Sequence, residues 1–529
     1  MTMSRILAST SALRSLAVAG VLLAPATAQA DEVNLISSDG TVDIVGDLVE
    51  FSDNIYVIRT ALGELRLSAE RVRCEGAACP SFDTDVADVV IAGSDTVGLG
   101  VMPLLMEGYA GYLDAEATTT STGTEGQVIT SLVGDGGFGD ELGAYLVNST
   151  GSGDAFRALI DQSAQIGMAA RRIRPEEARA LRDAGAGNMV DPANEHIVAI
   201  DSLVVITHPN NPVQSLSMSD LAAIYSGQIT NWNQVGGEDI PITVIDRQRG
   251  SGTRSVFKNA VFGTSDIEPV DGVQVANDNG EMAAMVNSDP SAIGFVGYAF
   301  QRGAKALDLV NECGIAMKPD AFSARTEEYA LQRRLYLYNR SDNLSDESRT
   351  FLDYALSPDA DGVIRKAGFI DLGVASRAQP LDSDRARMLL DPNVDPYEGG
   401  IMREMLGTMV DYDRLSTTFR FRTGASRLDE RGIIDMERLA DYLEEAPDGT
   451  RILLVGFTDS TGPFDSNRNL SQERAERVMA ELRAREGDRL AGIDMAAVGF
   501  GEIAPSACNS TDAGRAINRR VEVWIENTG

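Results

Sequence analysis

Arg247, Ser251, Gly252 and Thr253 fall within the run I-D-R-Q-R-G-S-G-T-R-S-V-F at 245–257, where the apolar strand PITVI leads into a glycine-rich turn and a stretch able to start a helix. That combination makes an anion cradle. Glycine lets the backbone approach a ligand, the hydroxyls of Ser251 and Thr253 donate, the amides at a helix start point outward, and Arg247 adds charge. No Gly-Lys-Ser/Thr follows at Walker A spacing, so a nucleotide loop is not indicated. Two further turns have the same make-up: Gly93-Ser94-Asp95-Thr96 after DVADVVIAG, and Gly151-Ser152-Gly153-Asp154 after YLVNST. Three such strand-to-helix junctions in one alternating region suit one small anion held at the carboxyl ends of strands.

A second pair able to do chemistry stands near the other end. Asp459 follows Thr458 at the end of the strand RILLVGF, and Arg474 lies on the helical stretch NRNLSQERAERVMAELRAREG beside an apolar stripe of Ala475, Val478, Met479 and Leu482. A cation near a helix start is opposed by the dipole unless an anion faces it, and Asp459 is the candidate partner or co-ligand. Held together, the two suit a zwitterion: the guanidinium pairs bidentately with a carboxylate and the aspartate takes an ammonium. A plain structural ion pair is the competing reading of these residues alone.

The elements that must position these groups belong to a long chain. Its 529 residues exceed one core and suggest about three to four domains. Residues 1–30 read as a secretory signal, with Arg5 and Arg14, an apolar run at 16–24 and the small-x-small site Ala28-Gln29-Ala30. The mature chain is expected to be exported, without a lipoprotein cysteine or a later transmembrane segment. A formal net charge of -33, from 79 acidic and 46 basic residues, argues against nucleic acid and anionic membrane surfaces as partners, so an anion site has to work through local dipoles. The two histidines, His196 and His208, are read as surface residues and give too little material for a His-rich metal centre or a Ser-His-Asp triad. No catalytic residue, metal or cofactor is expected.

Residues 31–82 alternate apolar and polar side chains as a small all-β module. From 83 to 375 strands alternate with helices in an α/β pattern, with 134–143 read as a flexible glycine-rich loop. Residues 376–413, rich in Asp, Arg and Pro, read as a linker with one short helix, and 414–529 return to strands and helices. Cys74 and Cys79 enclose Glu-Gly-Ala-Ala and are candidates for a local staple; Cys313 and Cys508 either join two domains or stay free and buried.

AGSDTV, TGSGDAFRALIDQSAQIGMAARRI, LVVITHPNNPVQSLSMSDLAAIYSGQITNWNQVGG, DRQRGSGTRSVF and DPSAIGFVGYAF, spread over 86–375, resemble the periplasmic phosphate-binding proteins of ABC importers, the PstS-like branch of the type 2 substrate-binding fold. The resemblance implies two α/β lobes, the second inserted at about 200–290, closing on ligand by hinge motion. It also implies phosphate contacts from Ser94 and Thr96 in the first loop, Ser152 and Gly153 in the second, and Arg247, Ser251, Gly252 and Thr253 in the third. The chain departs from the family at Ala170 in G-M-A-A-R-R, where the family carries a residue that accepts a proton from phosphate and so rejects sulfate. Asp95 or Asp154 is the candidate replacement, and Arg171 and Arg172 are candidates to add positive charge to the site.

GFTDSTG, the set Asn467, Leu470, Ser471, Arg474, Ala475 and Val478, then VGFGEIAPSACN and GRAINRRVEVWI, resemble the OmpA-like peptidoglycan-binding domain. By that resemblance Asp459 and Arg474 bind the diaminopimelate of the cell-wall peptide, and Thr458, Asn467, Leu470 and Ser471 shape the site. Arg519 and Arg520 are read as packing and surface charge. Together the resemblances imply an α/β, two-lobed periplasmic substrate-binding domain, preceded by the small all-β module and followed by an α+β OmpA-like domain. The implied function is a non-enzymatic receptor for inorganic phosphate or a similar oxyanion, held on peptidoglycan in the periplasm near the outer membrane, with an ABC permease as candidate partner. The alternative is a structural envelope tether whose substrate-binding fold has lost or changed its ligand.

Overall fold

The structure, a computed structural model, describes residues 32–37, 43–52, 55–68, 72–76, 78–79, 87–248, 251–263, 270, 273–391, 393–421 and 430–527. The signal expected at 1–30 lies outside the described residues. The chain divides into two units, Met1–Pro80 and Ser81–Gly529. The first is a five-stranded antiparallel sheet in the order Gly63–Ser68, Ile55–Thr60, Asp43–Ser52, Glu32–Ser37, Val72–Glu75. Alternation gathers Val33, Leu35, Tyr56 and Ile58 on one face with Val72 and Cys74, and a Cys74–Cys79 disulfide closes the end of the last strand.

In the second unit one strand, Glu195–Thr207, organises the receptor part. Residues 195–202 pair with Gln332–Asn339 and residues 203–207 with Ala292–Gly297, so two lobes share one continuous strand. Lobe one adds Ile166–Ala169, Val89–Ser94 and Glu141–Thr150 as parallel neighbours. Leu105, Met106, Tyr109 and Phe351 cover one face of it; Phe156 and Leu159 cover the other. Lobe two carries Gln274–Ala276, Thr243–Arg247 and Ala292–Gly297 in parallel, with Trp232, Phe257 and Phe295 on one face and Met282 and Val286 on the other.

Three expectations about segments need correction. Lobe two does not end near 290: Leu307, Leu309, Met317, Tyr329 and Leu331 pack in the core of Trp232, and Asp308–Val310 pairs with Ser215–Ser217. Strands of two or three residues there are too short to leave a periodic signal. The stretch 134–143 is no loose loop but a tight turn feeding a strand. Asp135 and Gly136 take φ of 51° and 61°, and Glu141–Thr150 pairs antiparallel with Gln127–Val133.

The third correction concerns the C-terminal sheet, whose order is Ser376–Arg377, Tyr412–Arg420, Arg520–Glu526, Arg451–Gly456, Asp494–Gly499. Helices Glu430–Glu444 and Phe464–Glu486 cover one face with Met436, Leu439, Ala475, Val478 and Leu482. The other face is covered by the supposed linker. Asp384–Met388 and the 16-residue helix Pro396–Asp411 lay Ala386, Leu389, Ile401, Met405 and Met409 against Phe457, Phe500 and Trp524. Much of the polar composition that looked like a linker is capping chemistry: Ser383 and Asp395 accept the first helical amides, and Pro396 opens the longer helix.

The receptor part and the C-terminal domain are fastened together. Cys313 and Cys508 form a disulfide, Arg377 stacks over Phe322 at 4.0 Å, and Arg414 reaches Glu328 at 2.8 Å.

Candidate functional site

Parallel pairing sets the strand ends of lobe one side by side, with Ser94 opposite Thr150 and Gly93 opposite Met168. Gly93 has φ 138°, and a Cβ there would stand 2.2 Å from the Met168 carbonyl oxygen, so only glycine permits this approach. Asp95 pins the first turn by accepting the Thr96 N–H at 2.7 Å. Ser152 opens the helix Ser152–Ile160, and its Oγ accepts the Ala170 N–H at 3.0 Å, tying the second loop to the turn that lacks the family's acceptor. Space beside Gly153 is open.

Lobe two brings the helix Gly252–Phe262, N-capped by Ser251, to face these turns. A Cβ on Gly252 would lie 3.3 Å from Thr96 Oγ1 and 3.7 Å from Asp95 Oδ2, so the first and third loops meet across the cleft. Hydroxyls and helix-start amides from both lobes therefore converge on one place, an arrangement able to hold a small oxyanion. Arg247 ends its strand buried; Nη1 donates to Asn279 Oδ1 at 2.9 Å and Nη2 to the Asn277 carbonyl at 3.1 Å, while Nε has no hydrogen-bond partner. Burial lowers its pKa, against the raising charges of Asp278, Asp246 and Glu281. Both of those hydrogen bonds go to its own lobe. The cation on the first loop is Arg333, whose Nη2 donates to Thr96 Oγ1 and Nε to Asp201 Oδ2, each at 3.0 Å.

Arg171 and Arg172 do not enrich the cleft: Glu177 and Glu195 hold them, each at 2.7 Å. Asp154 pairs with Arg157 on its own helix, which leaves Asp95 as the carboxylate facing Gly252. His196 is not a surface residue either. It stands on the shared strand with Nε2 2.6 Å from Asn339 Oδ1, and burial lowers its pKa.

In the C-terminal domain, two glycines set the geometry. A Cβ on Gly456 would stand 2.0 Å from the Ser471 carbonyl oxygen and one on Gly499 2.3 Å from the Gln472 nitrogen, so the helix Phe464–Glu486 lies directly on the sheet. Ser471 Oγ accepts the Gly501 N–H at 2.9 Å, and Asn467 Nδ2 donates to the Asp459 carbonyl at 3.3 Å. Leu470 is half-buried one turn on, and the buried Thr458 hydroxyl has no hydrogen-bond partner. Arg474 is 1% exposed, 5.1 Å from the Phe421 ring centroid, and sits well inside the helix, so the argument from a helix start does not apply to it. Burial, then the charge of Arg519, lowers its pKa to about 10, with Asp459 opposing. The direct partner of Asp459 is Arg519, at 2.7 Å, which corrects the reading of Arg519 as packing and surface charge. Burial raises the Asp459 carboxyl, but Arg519 and the Thr461 N–H outweigh it and hold the pKa below its usual value. Arg520 is no surface charge: it is fully buried against Glu522 at 2.7 Å.

A PBP superfamily domain matches residues 81–359, just over half of the chain. The chain belongs to the PBP superfamily. The OmpA family matches residues 420–519 of this PBP superfamily protein. Its receptor part is 26% identical over 234 residues to the phosphate-binding protein PstS of Borreliella burgdorferi, covering 42% of this chain and 78% of the relative. The PstS of Bacillus subtilis is 29% identical over 226 residues, covering 42% and 70%. Outer membrane porin F of Pseudomonas fluorescens is 46% identical over 92 residues, covering 17% of this chain and 27% of the porin, so that match is to one domain only. Within the superfamily part, Arg333 is the cleft residue that sequence reasoning passed over. The available signal was the arginine pair opening Q-R-R-L-Y-L-Y-N, which strand alternation sends to opposite faces.

Proposed function

We propose that this protein is an exported anion receptor, most simply for inorganic phosphate, anchored to peptidoglycan by its C-terminal domain. The observation that carries the reading is the approach of Gly252 to Asp95 and Thr96, which gathers the loops of both lobes around one small volume. In this reading Ser94, Thr96, Ser152, Gly153, Ser251, Gly252 and Thr253 donate to the phosphate oxygens, with Arg247 and Arg333 supplying charge. Asp95 takes the role missing at Ala170 and accepts the phosphate proton; sulfate, with no proton at neutral pH, would face a carboxylate oxygen and be repelled. Closure of the lobes about the shared strand desolvates the anion. The relatives named phosphate-binding protein support the ligand class. They also favour a receptor over an enzyme.

Thr458, Asp459, Asn467, Leu470, Ser471 and Arg474, together with Arg519, form the wall-binding site in this proposal, taking the zwitterionic end of diaminopimelate. Attachment there would hold the receptor in the periplasm near the outer membrane, in uptake through an ABC permease or in sensing. Among the described residues no helix is long and apolar enough to cross a membrane. The second reading, a structural tether without ligand, draws on Ala170 and on the capture of Arg247 by Asn277 and Asn279. Calorimetric titration of the anion-free mature chain separates the two. Phosphate binding without sulfate binding, with sulfate admitted by Asp95→Asn, supports the receptor; no heat from either anion supports the tether.

A further inference from the structure

The strands Glu195–Thr207 and Gln332–Asn339 serve the cleft with Asp201 and Arg333, and their other faces turn to the C-terminal domain. A cavity of about 40 Å³ lies at that junction, walled by Arg325 and Arg334 from the receptor part and by Thr418, Asp435 and Arg438 from the C-terminal domain. That is room for roughly two or three waters or one small ion. Arg325 is held by Asp371 at 2.8 Å and Arg334 by Glu327 at 3.0 Å. Arg438 has no hydrogen bond or ion pair to any described residue. Thr418 is 8% exposed, and its Oγ1 has no hydrogen-bond partner. A native fold rarely leaves such a hydroxyl unsatisfied. Asp435 and Asp361 act on Arg438 through space without bonding to it, so its guanidinium and the Thr418 hydroxyl both face the cavity as donors in want of an acceptor.

We propose that this junctional cavity is a second anion site, separate from the cleft, which holds one small inorganic anion of halide or nitrate size between Arg438, Arg334 and the Thr418 hydroxyl. The anion would accept the hydrogen bonds that Arg438 makes to no described residue, and bind receptor part to C-terminal domain from both sides. This does not depend on what the cleft binds.

Crystals of the mature chain grown in low-millimolar bromide test the proposal through anomalous scattering. The expected result is a peak within hydrogen-bond distance of Arg438 and Thr418, lost in Arg438→Gln and weakened in Thr418→Val. In solution, bromide at constant ionic strength should raise the unfolding midpoint of the parent and leave that of Arg438→Gln unmoved. Should Arg438→Gln fail to fold, Thr418→Val carries both readouts. Water density alone in the cavity, or a bromide response that survives the substitutions, overturns the proposal.

Discussion

Arg333 bridges Asp201 and Thr96, and so ties the strand shared by both lobes to the first loop of the cleft. A hydrogen bond from a charged donor to an anion contributes about 1.5–3 kcal/mol, so Arg333→Gln should weaken phosphate binding about 10- to 100-fold with the fold intact. Titration calorimetry reads this directly, and an unchanged affinity would remove Arg333 from the site. Asp361 offers a test of electrostatics. Burial, then the charge of Asp371, raises its pKa to about 6. A raised carboxyl contributes stability that is present below its ordinary pKa and lost as pH rises through the folded value. Asp361→Asn should therefore stabilise by about 1–3 kcal/mol near pH 7.5 and by little near pH 4, measured as urea midpoints at the two pH values. An equal difference at both pH values would contradict the assignment. The Gly-Ser turns were legible because glycine beside hydroxyls at a strand end is a local pattern. Arg333 and Arg519 were not, since their partners Thr96 and Asp459 lie 237 and 60 positions away and only the sheet registers bring them together.

At the scale of elements, periodicity revealed those long enough to express it. The strand RILLVGF and the helix carrying Ala475, Val478 and Leu482 announce a buried face, and they pack as one core. The helix Pro396–Asp411 carries Ile401, Met405 and Met409 at helical spacing with Met402 and Leu406 beside them, and the Asp, Arg and Pro content of the residues leading into it outweighed that period. Short strands of lobe two hid for want of length. What fastens the elements is equally invisible in the sequence: Glu522 is fully buried among Arg385 at 2.6 Å, Arg520 at 2.7 Å and Arg414 at 3.1 Å, and Arg414 continues to Glu328 of the receptor part. Burial raises both glutamates, yet the surrounding guanidiniums hold them below the carboxylate range. Removing one partner of a buried cluster leaves charge uncompensated, at a cost of about 3–5 kcal/mol. Arg414→Met should lose that much stability in urea unfolding while Arg387→Met, an exposed pair with Asp384, should lose almost none. Equal losses would show that the cluster does not hold the domains together.

At the scale of the molecule, the C-terminal domain is joined to the receptor part by disulfide, ion pairs and stacking. The central claim, an anion receptor held on peptidoglycan, needs both sites to work in the same chain. Purified sacculi loaded with the mature protein and incubated with radiolabelled phosphate test that in one sedimentation. The account predicts that phosphate pellets in proportion to protein. It also predicts that Asp459→Ala sends protein and phosphate to the supernatant together, and that Arg333→Gln leaves the protein in the pellet but releases the phosphate. Protein that pellets without phosphate, or phosphate binding by protein that never associates with sacculi, would contradict it.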